Sequence, residues 1–306
     1  MNVLILKLGA TGDVVRTTPL LHRLKAHVTW VTAAKNVVLL SGVKSDLRCF
    51  SWEERQWAAD RQYDLAINLE DTVEADEFLK CLKCDKIFGA YADSENQLRY
   101  TENAARWFDL SLISAYGKEE ADKRKFRNRS TYQEMIFAGL ALHFAGEPYF
   151  LPPPIETGLS GDVAIAADSG PVWPMKKWAY YQELKEELER ERLTVNVLPE
   201  RRSLLEHLSD VQNHRCLVGG DSLPMHFALG TKTPCVTLFT CTSPWEIYDY
   251  GVQKKIISPL LGEFFYQRGY NERATRAIGL AEVKHAVLEQ LETAQGKLSM
   301  SGSSWR

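Results

Sequence analysis

The feature that most constrains this chain is its opening. Residues 3–8 read Val-Leu-Ile-Leu-Lys-Leu, apolar but for Lys7, and the run stops at Gly9, where Gly9-Ala10-Thr11-Gly12-Asp13 leads into Val14-Val15-Arg16-Thr17-Thr18-Pro19. A short apolar run ended by a glycine turn is the pattern of a strand buried on both faces, as in parallel sheets covered by helices. It is too short for a membrane span or the core of a signal peptide. A parallel strand must be followed by a crossover, so the opening predicts alternating strands and helices.

The chain keeps that rhythm. In its first half the apolar runs predict strands at Val3–Leu8, Val28–Thr32, Leu47–Phe50, Asp64–Leu69 and Lys86–Ala90, and Tyr100 to Phe144 reads as largely helical and charged. The stretch EPYFLPPP follows, and Pro152-Pro153-Pro154 forbid helix and stiffen the backbone into a linker. The second half restarts with strand Asp162–Ala167, helix Trp178–Glu191, strand Thr194–Leu198, helix Ser203–Val211, strand Arg215–Gly219, a helix opening near Pro224 and strand Cys235–Phe239. Trp178, Tyr181, Leu184 and Leu188, and likewise Leu204, Leu205, Leu208 and Val211, recur at helical spacing and read as core faces. The 306 residues suit two domains. We expect an α/β chain with domains at 1–154 and 155–295, and a disordered Ser/Gly-rich tail at 296–306.

Charge narrows the partners. Lys and Arg number 37 against 40 Asp and Glu, a net −3, which gives no basic field for nucleic acid. One run, Lys123-Arg124-Lys125-Phe126-Arg127-Asn128-Arg129, is strongly basic. It could meet an anionic acceptor or a membrane surface, but a solvated helix end is the favoured reading. The absence of an export signal predicts a cytoplasmic protein whose six cysteines are free thiols. Cys81 and Cys84 form a C-x-x-C without a second pair or a nearby His, and read as half-buried residues at a helix end.

Three stretches could carry chemistry. The first is the turn at 9–13, placed where α/β folds gather backbone N–H groups and a helix N-terminus around a ligand. Its G-x-x-G spacing is not that of dinucleotide binders, Thr32 stands where a ribose-binding acid would be, and no Gly-Lys-Ser/Thr closes a phosphate loop. The bland alternative for Asp13 is a helix cap. The second is Gly219-Gly220-Asp221-Ser222-Leu223-Pro224-Met225-His226, where a carboxylate, a hydroxyl and free amides meet at a helix start. Here too a plain capped helix is the alternative. The third, Pro174-Met175-Lys176-Lys177-Trp178, sets two cations at a helix start, where they oppose the helix dipole and favour a phosphate partner.

In order and spacing, GDVVRTTPLL at 12–21, K-x-W at 176–178 and DSLPMHFALGTKTPCVTLFTCTSP at 221–244 resemble signatures of glycosyltransferase family 9, the ADP-heptose:lipopolysaccharide heptosyltransferase family. Those signatures read G-D-x-x-x-T-x-P, K-R-W and D-S-G-P-M-H…G-T-P…F-G-P-T-x-P, and the resemblance spans about residues 3 to 292. It implies the GT-B plan, two doubly wound Rossmann-like domains facing across a cleft, with the acceptor on the N-terminal side and the nucleotide sugar on the C-terminal side. Carried over by position, the catalytic carboxylate falls on Asp13, with Thr11, Gly12 and Arg16 in the acceptor-side loop. The phosphate-binding lysine falls on Lys176, with Lys177 beside it. The donor-cradling turn falls on Asp221, Ser222, Leu223, Pro224, Met225 and His226, and the nucleoside contact on Glu200.

The implied activity is inverting transfer of a heptose or similar sugar from an ADP-sugar to a saccharide or glycolipid acceptor, such as a lipopolysaccharide core. It needs no cofactor, and no D-x-D occurs to clamp a metal. The expected location is cytoplasmic, with peripheral contact to the inner membrane. Two departures stand out. Leu223 replaces the family glycine, and Phe239-Thr240-Cys241-Thr242 replaces F-G-P-T. A leucine forced to positive φ there would cost ~1–2 kcal/mol. The rival readings are a non-catalytic nucleotide-sugar-binding protein and an epimerase-type enzyme of the same fold that hydrolyses its donor.

Overall fold

The structure is a computed structural model describing residues 1–105 and 109–301. The chain divides into two compact units, Met1–Pro152 and Pro153–Arg306.

The first unit is built on strands β1 (Asn2–Leu6), β2 (His27–Thr32), β3 (Leu47–Ser51), β4 (Leu65–Asn68), β5 (Ile87–Ala92) and β6 (Leu98–Tyr100), in sheet order β3-β2-β1-β4-β5-β6. Its helices are α1 (Thr11–Thr17), α2 (Leu20–Arg23), α3 (Val37–Leu40), α4 (Val73–Lys80), α5 (Asp109–Arg127) and α6 (Tyr132–Gly139). β1 to β5 pair in parallel, and Val3, Leu4, Ile5 and Leu6 of β1 are fully buried between two neighbours, as their uninterrupted apolar run predicts. β6 was not expected. It returns antiparallel along β5 after a turn in which the Asp93 carboxylate accepts from the Glu95 and Gln97 amides, both at 2.9 Å. Three residues carry too little periodicity to announce a strand.

The second unit holds β7 (Gly161–Ala166), β8 (Val195–Val197), β9 (His214–Gly220), β10 (Cys235–Phe239) and β11 (Gln253–Ile257), all parallel, in order β11-β10-β9-β7-β8. Its helices are α7 (Tyr181–Arg190), α8 (Leu204–Gln212), α9 (Leu223–Thr231), α10 (Leu261–Phe264), α11 (Glu272–Arg276) and α12 (Leu280–Ser301). Trp178, Tyr181, Leu184 and Leu188 pack with Val163, Val218 and Val236 in one core, and the Trp178 indole donates to the Ile278 carbonyl at 2.9 Å. β11 escaped the sequence reading because Lys254 and Lys255 break its apolar pattern at the sheet edge. The backbone stays helical through Ser301, so residues 296–301 continue α12 rather than leaving it as a disordered tail. Residues 302–306 of that expectation lie outside the described residues.

Lys123 to Arg127 of the basic run end α5, with Asn128 and Arg129 just beyond it, and the helix's own acids answer much of the charge. Lys123 pairs with Glu119 at 2.8 Å, Arg124 with Glu120 at 3.1 Å and the buried Lys125 with Asp122 at 3.7 Å. This is the pattern of an i,i+3 and i,i+4 laced helix, as the solvated-helix reading expects. All six cysteines are free. Cys81 follows α4 and is exposed rather than half-buried, whereas Cys84 is half-buried. No helix among the described residues is long and apolar enough to cross a membrane.

Each sheet has one place where the order of strands reverses, between β1 and β4 in the first and between β7 and β9 in the second. The connections leaving the two strands there turn to opposite faces, opening a crevice beyond their carboxyl ends. Close approach keeps the sheet regular beside it. Gly89 has φ +105°, and a Cβ there would lie 1.9 Å from the Asn68 carbonyl oxygen, so only glycine lets β5 lie against the end of β4. The Asn68 amide then donates to the Ala90 carbonyl at 2.9 Å and to the Asp76 carboxylate at 3.2 Å.

Burial, reinforced by the charge of Asp71, pushes the Asp76 carboxyl up to about 6. Because the folded value lies above the ordinary one of 3.8, the ionised form is penalised in the fold. That penalty is absent below about pH 4, grows as pH rises, and is complete above about pH 6. A shift of this size corresponds to roughly 2–3 kcal/mol. Asp76→Asn, which keeps an acceptor for Asn68 but never ionises, is therefore expected to be more stable than the wild type at pH 8 by ~2 kcal/mol. Urea unfolding should show that advantage shrinking toward zero near pH 4. An advantage independent of pH would mean that ionisation of Asp76 is not its source.

Candidate functional site

Both switch points carry a lysine paired with a carboxylate. In the first unit, β1 ends at Leu6 and Lys7 follows with its side chain folded inward, only 9% exposed. Its Nζ lies 3.0 Å from Glu70 Oε1, on the segment after β4. The same oxygen accepts from the amides of Leu8 at 2.7 Å and Gly9 at 3.4 Å. Glu70 is itself held by Asn68, whose Oδ1 accepts the Glu70 amide at 3.1 Å. One carboxylate thus ties the glycine turn to the neighbouring strand. Burial alone would depress the Lys7 ammonium, but the charges of Asp13 and Glu70 outweigh it and hold Lys7 above the ordinary lysine value.

Asp13 lies in the first turn of α1, where the N-cap is Ala10 and no side chain caps the helix, so the cap reading of Asp13 does not hold. Its carboxylate is 34% exposed and meets Arg16 at 2.9 Å. The Arg16 guanidinium lies 4.0 Å from the centre of the Tyr132 ring, and the Tyr132 hydroxyl is 2.8 Å from that of Thr17. Burial pushes the Tyr132 phenol up, against the pull of Arg16 and Lys7, so it stays neutral. Thr11 is buried and donates its hydroxyl to Asn36 at 2.8 Å, which gives it a structural task, while Gly12 is partly exposed beside Asp13. Lys7, Glu70 and Tyr132 were missed by sequence reasoning. The one available signal was a charge in the middle of a strand that should have been wholly apolar.

In the second unit, Lys176 closes the short 3-10 turn Pro174–Lys176 beyond β7 and reaches across to the end of β9. Its Nζ donates to the Asp221 carbonyl at 2.5 Å and to Asp221 Oδ2 at 3.1 Å, with the two side chains 13% and 16% exposed. Gly220 permits that approach, since a Cβ there would lie 3.0 Å from the Lys176 carbonyl oxygen. α9 begins just beyond. Ser222 occupies its N-cap but makes no side-chain capping bond, so the capped-helix alternative fails for the serine. Leu223 is the first helical residue and is not among the described residues with positive φ. The strain that a leucine might have brought is therefore absent, and Pro224 follows it in the first turn.

The remaining candidates disperse. Met225 and His226 are buried, at 1% and 5% exposed, as is the whole stretch 225–229 of α9. Lys177 points to solvent, 61% exposed and 3.3 Å from the exposed Asp168, a surface pair of small worth. Glu200 is exposed on the segment after β8. The segment that departs from F-G-P-T lies against the pair. Thr240 donates to the Met175 carbonyl at 2.8 Å, and the buried Thr242 and Ser243 hydroxyls have no protein partner. Lys255, also missed in the sequence, donates to the Pro244 carbonyl at 2.7 Å and the Ile247 carbonyl at 2.5 Å. Burial lowers its ammonium against the opposing charges of Asp249 and Asp221.

Chemically, the two places differ. The first offers a half-exposed carboxylate among cations, suited to accepting a proton. The second offers an ammonium beside a helix N-terminus, suited to an anion. Among the described residues no group of three or more His, Cys, Asp or Glu side chains could hold a metal ion.

Comparison with known proteins bears on the family and the fold. Residues 172–264 match the family model described as glycosyltransferase family 9 (heptosyltransferase), and that stretch contains Lys176, Asp221 and the start of α9. No curated protein sequence matches. Among solved structures, Escherichia coli heptosyltransferase WaaC with ADP is 16% identical, with 95% of this chain and 100% of that one covered and a TM-score of 0.62. A family 9 glycosyl transferase from Veillonella parvula is 14% identical over 95% and 97%, with a TM-score of 0.67. The E. coli ADP-heptose lipopolysaccharide heptosyltransferase II is 15% identical over 96% and 100%, with a TM-score of 0.62. The family 9 match thus covers part of the second unit, and the architecture of these structures over the whole chain gives this protein the GT-B fold.

Proposed function

We propose that the chain is an inverting, metal-independent glycosyltransferase that moves a heptose, or a similar sugar, from an ADP-sugar to a hydroxyl of a lipopolysaccharide-core or other surface-glycan acceptor. The observation that carries the reading is the Lys176–Asp221 pair at the second switch point, beside a helix start without a side-chain cap. A diphosphate there would take Lys176 from Asp221 and accept from the α9 amides, an arrangement that stabilises charge only as it develops on the leaving group. Asp221, released, would face the sugar hydroxyls as an acceptor.

The transfer step then balances as follows. The Asp13 carboxylate accepts the proton of the acceptor hydroxyl, and that oxygen attacks the anomeric carbon on the face opposite the diphosphate. The bond from that carbon to the diphosphate oxygen breaks, and its electron pair leaves with ADP. ADP and ADP-2-deoxy-2-fluoro heptose are present in solved structures of WaaC, whose fold this chain shares, which supports the donor class. The reading places the protein in the cytoplasm, in peripheral contact with the inner membrane that holds a glycolipid acceptor.

Three measurements test it. Lys176→Ala removes a partly desolvated, charge-assisted contact worth ~1.5–3 kcal/mol, so calorimetry should find ADP-heptose bound ~10- to 100-fold more weakly. Unchanged affinity would remove Lys176 from the donor site. Asp13→Asn keeps size and removes the base, so transfer from ADP-heptose to truncated lipopolysaccharide-core acceptors should slow at least ~100-fold while donor affinity stays near wild type. A variant that transfers at the wild-type rate would place the base elsewhere. Finally, transfer should persist in excess EDTA, because among the described residues no cluster of carboxylates or histidines could hold Mg²⁺ or Mn²⁺. A complete loss restored by either metal would overturn the metal-independent mechanism.

A further inference from the structure

Lys7 and Glu70 belong to neither the donor site nor the proposed chemistry, yet they are among the most deeply placed charges in the first unit. Lys7 stands at the end of β1 and Glu70 two residues beyond the end of β4, the two strands that flank the switch point. The contacts converge on a single oxygen. Glu70 Oε1 takes the Lys7 ammonium at 3.0 Å and the amides of Leu8 and Gly9 at 2.7 and 3.4 Å, the residues through which the chain turns toward Asp13. A surface ion pair would leave these amides to water. Here one carboxylate oxygen takes both amides and the ammonium together.

We propose that Lys7 and Glu70 are a positioning pair for Asp13: Glu70 clamps the glycine turn, and the clamped Lys7 sets the electrostatic field in which the Asp13 carboxylate exchanges its proton. The inference rests on the reading of Asp13 as the base. Several charged or titratable groups face this place. Lys7 comes from the residue after β1, Arg16 from α1, Tyr132 from α6, and Glu70 and Asp71 from the segment after β4, with Asp76 of α4 coupled to Asp71. Arg16 pairs with Asp13 directly at 2.9 Å from the same helix. Tyr132 stays neutral and burial raises the Asp71 carboxyl, while the charges bonded at the turn and to Asp13 itself are Lys7, Glu70 and Arg16. Lys7 and Glu70 have opposite signs. Removing one or the other must therefore move the protonation of a nearby carboxylate in opposite directions.

That opposition supplies a test that a merely structural role would not pass. The acid limb of the pH profile of kcat/KM reports the base of the free enzyme. In transfer from ADP-heptose to truncated lipopolysaccharide-core acceptors, Lys7→Met should move that limb to higher pH by about 0.5–1 unit, and Glu70→Gln should move it to lower pH by a similar amount. Lys7→Arg, which keeps the charge, should restore the wild-type limb. Should Lys7→Met fail to fold, Glu70→Gln and Lys7→Arg still decide the matter, because the downward shift and the restored limb are both required. Limbs that coincide with wild type, or that shift in the same direction, while Asp13→Asn is inactive, would overturn the pair and leave Asp13 as the base. An Asp13→Asn enzyme at the wild-type rate would overturn both.

Discussion

A charge taken out of water must find an opposite charge and hydrogen bonds, and that constraint organises both halves of this protein. Leaving a lysine alone in a buried position costs several kcal/mol, so Lys7 and Lys176 can exist where they do only because a carboxylate and main-chain groups were placed within reach. In each unit the placement is made by strand order. β1 and β4, and β7 and β9, are neighbours in space whose following segments turn apart, so the carboxyl ends of two sequence-distant strands become adjacent with their backbone groups unspent. Lys7 finds Glu70 across 63 residues of chain, and Lys176 finds Asp221 across 45. Neither pair could form on an isolated hairpin or helix; each is a product of the doubly wound sheet.

The surrounding packing serves those two places. Asn68, fully buried, joins β4 to Ala90 of β5 and to Asp76 of α4 with its amide, and steadies Glu70 with its oxygen. Gly89 is glycine because the Asn68 backbone passes too close for a Cβ, and Gly220 lets the Lys176 backbone lie where a Cβ would meet it tightly, at 3.0 Å. Trp178 follows Lys176 by two residues and is anchored in the core with its indole bonded to Ile278, so the turn that carries the lysine is fixed from below. A flexible cation is thus mounted on a stiff base. That is the condition under which a charge can act on a developing negative group without first paying to organise itself.

The strands of the parallel sheets were legible because burial on both faces leaves an apolar run that polar residues cannot imitate. Asn2–Leu6, His27–Thr32 and Cys235–Phe239 lie within two residues of where the pattern set them. β6 and β11 were not, since an edge strand needs only one satisfied side and tolerates Arg99 or Lys254 without penalty. The candidate site was legible to the extent that its residues form motifs. Asp13, Lys176 and Asp221 each stand in a local pattern of glycine, proline and helix start. Lys7 and Glu70 form none, because what joins them is sheet topology rather than spacing. Met225 and His226 stand inside a motif too, and their burial was not legible from it, because the whole stretch 225–229 of α9 is buried where the helix packs on α8, β9 and β10.

The two pairs look alike and are not equivalent. Glu70 spends one oxygen on three donors, two of them main-chain amides on the chain that leads to Asp13, so withdrawing Lys7 would leave the clamp in place and withdrawing Glu70 would release it. Asp221 offers Lys176 a carbonyl and a single carboxylate oxygen, both at a helix mouth whose N-cap serine makes no capping bond. A visiting anion could replace what Asp221 gives Lys176, whereas no visitor could replace what Glu70 gives the turn. The first pair is therefore framework and the second is exchangeable. That difference, rather than the presence of a lysine in each, supports the proposal of a proton-accepting role beside the first pair and an anion-holding role at the second.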